Sequence, residues 1–261
     1  MDSFNMDCYI ARQISPGVWD IGDKGEGGEI AYVDAYLITG NDRALLIDAG
    51  NSPGDLRSVV DRITGLPVDV LLLHAHPDHV GGCRGFDTIY MNPAEKVLCD
   101  DAEFINEFFD HTKTLPVYPG AVFDLGGRVI EIYDMAAHTP GSMVALDRAN
   151  QLLFSSDSVG SGPIWMHTPF TSSLNNLVEK LTALKTVVAD MPDLLLHTGH
   201  ACQHAKPLGH DYLNDLYSLA KDIIAGKVVG EPTSDFDGRW KGKIAKRGLM
   251  TGLSYNPDNL S

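Results

Sequence analysis

The chain has 261 residues, 44% of them hydrophobic, with 20 basic against 35 acidic side chains and a formal net charge of −15. That length can bury one large core or two small ones. The acid excess argues against a nucleic-acid role, because phosphate backbones are bound mostly by lysine and arginine, and no apolar run reaches the roughly 18 residues of a membrane helix.

The first residues carry acids where a secretory signal needs base and then a long apolar block. Cys8, Cys83, Cys99 and Cys202 form no CxxC pair and no regular spacing. A reduced, cytoplasmic protein without a disulfide framework is expected. Residues 18–21, 31–38 and 44–47 read as the opening strands. The glycine-rich loop 22–28 is followed by a strand and not a helix, so it reads as a mobile hairpin flap and not as a phosphate cradle. Residues 53–63 read as a helix and 68–73 as a buried strand. Residues 101–111 read as a second helix, with Phe104 and Phe108 one turn apart. Residues 122–125 and 129–133 pair across Gly126 and Gly127.

Two later helices are marked by their stripes. Leu174, Leu177, Val178, Leu181, Leu184, Val187 and Val188 recur at three and four residues. Ser172 or Ser173 caps that helix and Pro192 stops the chain after it. Tyr212, Leu213, Leu216, Leu219, Ile223 and Ile224 repeat the pattern before Gly226. A one-sided helix lies on something, here a sheet. Alternation alone reads as a doubly wound α/β fold.

The densest chemistry follows the strand at 68–73. His74, His76, Asp78 and His79 fall within six residues. Along an extended chain His74 and His76 share a face. Asp78 and His79 come where the chain must turn, before Gly81 and Gly82. Imidazole nitrogen and carboxylate oxygen suit zinc and other first-row divalent metals. A single buried histidine is usually a satisfied core residue; four ligand-type side chains this close rarely are.

The pattern His-x-His-x-Asp-His resembles the signature of the metallo-β-lactamase superfamily. The resemblance extends through His138 in Ala-His-Thr-Pro-Gly, Asp157 after residues 152–156, His200 after residues 194–198, and Asp48 in Leu-Ile-Asp-Ala-Gly. It implies an αββα sandwich of two mixed sheets flanked by helices, as a single domain over 1–261. Residues 230–261 would lie near the site mouth or at a subunit contact. It further implies that His74, His76 and His138 bind one metal and Asp78, His79 and His200 a second. Asp157 would bridge them, although its neighbouring serines also suit a turn-capping aspartate. Two divalent ions are expected, zinc first, with iron or manganese acceptable to the same donors. Asp48 and His197 would support the ligands from behind. Cys202 could do so too, or be a buried spectator.

The expected activity is hydrolysis of a small carbonyl ester, thioester or lactone by a metal-bridging hydroxide. Asp78 would orient that hydroxide or carry its proton to the leaving group. Phosphodiester or phosphonate hydrolysis is the alternative, and a non-catalytic metal-binding protein a third. Trp165, Met166, Phe104, Phe108 and Phe109 are candidates for an apolar substrate wall, or for ordinary core. His167 is a candidate pocket hydrogen bonder; His111, His204 and His210 carry no motif. Gly160 stands where acyl-homoserine lactonases carry tyrosine. Arg239, Lys241, Lys243, Lys246 and Arg247 form a basic cluster that attracts an anionic substrate or contacts another subunit. The partners expected are a small-molecule substrate and a possible homodimer, with no membrane.

Overall fold

Strand pairing builds the molecule around one seam. A computed structural model describes residues 2–25, 28–52, 54–160, 162–203 and 206–261. The expected helix start at Pro53, part of the glycine loop (Glu26, Gly27) and His204 lie outside the described residues. The first sheet has eight strands in chain order: Ser3–Met6, Tyr9–Ser15, Val18–Asp23, Val33–Thr39, Ala44–Ile47, Val68–Leu72, Ile89–Met91 and Leu115–Pro116. The first five pair antiparallel and the last three join in parallel. The second sheet runs in the order Leu195–Thr198, Leu152–Ser156, Met143–Asp147, Val129–Asp134, Val122–Asp124.

The two sheets face one another through Val18, Tyr36, Ile38, Leu45 and Leu71 on one side and Ile130, Ile132, Ala145 and Phe154 on the other. Alternate residues of the first sheet point the opposite way. Leu37, Leu46 and Leu72 pack against Leu56, Val59 and Val60 of the helix Leu56–Ile63. On the far side, the helices Leu174–Val187 and His210–Ile224 turn their apolar stripes onto Val144, Leu146 and Leu153. This is the αββα sandwich. Ser173 caps its helix by accepting from the Asn176 amide at 3.2 Å. The Gly126–Gly127 turn forms with φ of 83° and 78°, a backbone that favours glycine.

Three elements depart from the sequence reading. Residues 101–111 are turns and not a helix. The side chains of Asp101, Asn106 and Asp110 accept from amides two residues on, at 2.9, 2.9 and 3.1 Å, and these local bonds compete with helix. Two strands precede residue 18. A third sheet, in the order Pro163–Met166, Thr251–Tyr255, Lys241–Arg247, Glu231–Ser234, extends the outer layer. The four cysteines are free. Among the described residues no helix is long and apolar enough to cross a membrane.

Candidate metal centre and cavity

Strand ends supply the donors. His74 and His76 leave the strand Val68–Leu72, and Asp78 and His79 occupy the single turn Pro77–His79. His138 follows Val129–Asp134, Asp157 follows Leu152–Ser156, and His200 follows Leu195–Thr198. The sandwich brings these ends together at one edge. His74, His76, His138 and Asp157 offer donor atoms within 4.8 Å of one another, and so do Asp78, His79, Asp157 and His200. Asp157 belongs to both groups. Its carboxylate lies 4.0 Å from His74 Nε2, 3.9 Å from His138 Nε2, 3.4 Å from His79 Nε2 and 3.3 Å from His200 Nε2. Gly199 permits this approach, because a Cβ there would overlap the Asp157 carboxylate and the His79 ring.

Outer hydrogen bonds orient the rings. His138 Nδ1 donates to the Trp165 carbonyl at 2.9 Å, and His200 Nδ1 donates to the Tyr32 carbonyl. His79 Nδ1 meets Asp48 Oδ2 at 3.2 Å. Ser156 Oγ lies 3.0 Å from His74 Nδ1 and donates to Asp48 at 2.5 Å. Asp48 Oδ1 also accepts from the Leu73 amide at 2.9 Å. Asp48 thus stands behind His79 and is spent on protein donors, although it lies close to His74 and His79. With Nδ1 engaged outside, Nε2 of His74, His79, His138 and His200 presents its lone pair inward.

The interior is left with lone pairs facing lone pairs. Nε2 of His74 and of His79 is buried without a hydrogen-bond partner. His76 Nδ1 lies 3.0 Å from His138 Nε2, a contact between two nitrogens that needs a cation or a proton between them. Burial pushes the His74 imidazole well down and that of His76 down to about 3, so both are neutral and could serve as ligands. Burial also opposes charge on His79 and His200, but Asp157 and Asp78 outweigh it and raise them to about 10 and about 12. The carboxylates therefore demand positive charge at this spot. Divalent cations bound here would supply it and would displace the protons. The residues fit a metal centre.

Glu95 was not legible as part of this site. It is fully buried, and it joins two ligand-bearing loops: Oε2 accepts from the Ala75 amide at 2.7 Å and Oε1 from the Gly141 amide at 2.6 Å. Asp34 was missed too; its Oδ2 accepts from the Ala201 amide at 2.7 Å and holds the His200 loop. Nothing in the local sequence marks either residue.

The donors lie at the floor of a cavity of about 550 Å³. Phe104, Trp165 and Trp240 line it. The rings of His76, Phe104 and Trp240 stack in a column, with centroids 5.3 and 5.2 Å apart and planes at 17° and 5°. Trp165 and Phe236 form a second pair at 5.2 Å. Tyr32 and Asn51, which the sequence did not single out, complete the rim.

Several expected site residues lie elsewhere. Met166 is buried in the core between the helices and the third sheet, because strand alternation sends Trp165 the other way. His167 is buried and bonds Ser254 Oγ at 2.9 Å, outside the cavity lining. Phe108 does not line the cavity, and Phe109 packs on the first sheet's core. Cys202 is exposed, not a buried spectator. Of the basic cluster only Arg239 reaches the cavity.

His197 touches the rings of Phe154 and Tyr36, with centroids 5.2 and 5.3 Å away. That places it in the aromatic core, not behind a ligand. Burial pushes its imidazole down to about 4, against about 6.5 for a free histidine. Below pH 6.5 the unfolded chain takes a proton that the folded chain refuses. The stability carried by neutral His197 is therefore complete above that pH and lost as pH falls through 4. His197→Phe is expected to relieve roughly 3 kcal/mol of acid destabilisation by pH 4. Urea midpoints of both proteins at pH 7 and pH 4.5 check this; parallel shifts would refute it.

Residues 29–200 match the family model of the metallo-beta-lactamase superfamily. The chain is 27% identical over 203 residues to acyl-coenzyme A thioesterase MBLAC2 of Gallus gallus, covering 64% of this chain and 72% of that protein. It is 30% identical over 210 residues to hydroxyacylglutathione hydrolase of Ruegeria pomeroyi, covering 76% of each. A beta-lactamase domain protein from Burkholderia ambifaria has a similar fold, with a TM-score of 0.64 and 19% identity over 86% of this chain and 78% of that one.

Proposed function

We propose that this chain, which belongs to the metallo-β-lactamase superfamily and is a metal-binding hydrolase, hydrolyses a small carbonyl ester, thioester or lactone at a two-metal site. One observation carries the reading: two groups of four donors share Asp157 at the floor of a cavity with apolar walls. His74, His76, His138 and Asp157 would hold one cation, and Asp78, His79, His200 and Asp157 the other. Such a pair supplies a hydroxide-strength nucleophile near neutral pH and offsets charge developing on the carbonyl oxygen.

The chain's own groups do the rest. Asp48, Ser156 and the Trp165 and Tyr32 carbonyls hold the imidazoles in one tautomer. Asp78 is one-third exposed and lines the cavity. Its Oδ2 faces His79 and His200 at 3.6 and 3.4 Å and would serve the cation, while its other oxygen takes the proton of the attacking water and hands it to the leaving oxygen or sulfur. The aromatic column excludes water from one side. The Tyr32 hydroxyl accepts from Asn51 Nδ2 at 2.5 Å, which leaves its own proton to donate into the cavity. Asn51 is itself held by its backbone N–H, which donates to the buried Asp23 carboxylate at 2.9 Å. Tyr32→Phe is expected to lower kcat/KM about tenfold, roughly the worth of one hydrogen bond near a reacting charge. The loss should grow with the basicity of the leaving group; a loss independent of it would make Tyr32 only a wall.

Metal analysis of protein from defined medium, followed by a panel of esters, thioesters and lactones set against bis-nitrophenyl phosphate, tests the whole reading. Carbonyl substrates are expected to be turned over and the phosphodiester to be poor. A preference for the phosphodiester, or full turnover without metal, would overturn it.

A further inference from the structure

We infer that the cavity mouth selects by charge: it admits uncharged or cationic substrate tails and turns away polyphosphate-bearing ones. This rests on the hydrolase reading and narrows its substrate class to esters and thioesters without a nucleotide handle.

Among the described residues lining the cavity, Arg239 is the one lysine or arginine. It is already occupied. Its guanidinium lies 3.0 Å from Asp237, 3.6 Å from Glu103 and 3.7 Å from Asp235, and 4.9 Å from the centroid of the Trp240 ring. Three carboxylates against one guanidinium leave two negative charges at the rim. The rest of the basic cluster gives no relief. Arg247 is paired at 2.6 Å with Asp222 of the helix His210–Ile224, and Lys241, Lys243 and Lys246 do not line the cavity. The whole chain adds a field of the same sign, at −15.

Size turns this charge into selection. A cavity of about 550 Å³ suits a small ligand and not a nucleotide thioester. The adenosine and phosphates of such a substrate would protrude among Glu103, Asp237 and the 96% exposed Phe236. The floor, where the donor groups gather, takes the reacting carbonyl; the mouth meets whatever trails from it. An anionic tail meets like charge there, and a cationic or apolar one meets carboxylates and the Trp165–Phe236 pair.

Three thioesters of one benzoyl group test this on the metal-loaded full chain: thiocholine (cationic), N-acetylcysteamine (neutral) and coenzyme A (polyanionic). At low salt, kcat/KM is expected to fall in that order, with coenzyme A roughly tenfold or more below the neutral thioester. High salt should close the gap, because the rim is exposed and screened. Glu103→Gln with Asp237→Asn removes the two surplus negative charges and leaves Arg239 balanced by Asp235 alone, which should raise the ratio of coenzyme A to N-acetylcysteamine turnover severalfold. Both positions are exposed and outside the core, so the fold is kept. Equal or better use of coenzyme A at low salt, or a ratio unmoved by the double variant, would overturn the charge selection and leave the hydrolase reading standing. Turnover of none of the three would remove thioesters from the hydrolase reading and leave its ester and lactone branches to the wider panel. Charge selection would then be read from calorimetric binding of thiocholine and coenzyme A, and tighter coenzyme A binding would refute it.

Discussion

Protein carrying His74→Ala is expected to keep its fold, to bind far less metal, and to fall by about 10³-fold or more in kcat/KM. His74 is fully buried, its Nδ1 lies 3.0 Å from Ser156 Oγ, and its Nε2 makes no hydrogen bond and faces the Asp157 carboxylate at 4.0 Å. Removing it deletes one donor of four and leaves Asp157 facing the remaining histidines. The loss exceeds that of an outer hydrogen bond, typically 10–100-fold in affinity or activity, because a ligand itself is gone. The backbone survives, since Leu71, Leu72 and Leu73 still anchor the strand end in the core. Metal content, circular dichroism and steady-state rates on one preparation check the three parts. Native turnover from metal-depleted His74→Ala protein would refute the centre.

Glu95→Gln is expected to cost about 2–4 kcal/mol of stability and to weaken metal binding about 10–100-fold. The carboxylate answers two backbone donors, the amides of Ala75 at 2.7 Å and Gly141 at 2.6 Å. Glutamine offers one oxygen; its amide group would face the second N–H, donor against donor, in a site without water access. Burial pushes the Glu95 carboxyl up to about 7, and the Thr139, Ala75 and Gly141 donors pull it back. A cation held beside His74 and His76 would favour the carboxylate further. The penalty should therefore be larger in metal-loaded than in metal-free protein. Denaturant midpoints of both forms measure it, provided the m-value is unchanged. An equal penalty with and without metal would mean that Glu95 braces the loops without tuning the centre.

The donors were legible one stretch at a time. His74, His76, Asp78 and His79 stand within six residues after a strand, and no packing is needed to see them as ligands. The helix stripes and the Gly126–Gly127 turn were equally plain, because their signals are local periodicity and backbone freedom. The false helix at 101–111 shows the limit. Phe104 and Phe108 fit helical spacing, but Asp101, Asn106 and Asp110 bonded their own neighbours instead.

The substrate wall was only half legible for the same reason. Trp165 and Met166 are neighbours in sequence, yet strand alternation gives one to the cavity and the other to the core. Trp240, Tyr32 and Glu95 reach the site from distant segments, and no pattern around them announces it. The sequence by itself determined which atoms can bind metal, since ligand chemistry belongs to the side chain. Tertiary structure alone decided which of them meet, which tautomer each imidazole presents and what charge guards the entrance. Those depend on contacts between residues far apart along the chain, and only the closed sandwich brings them within reach.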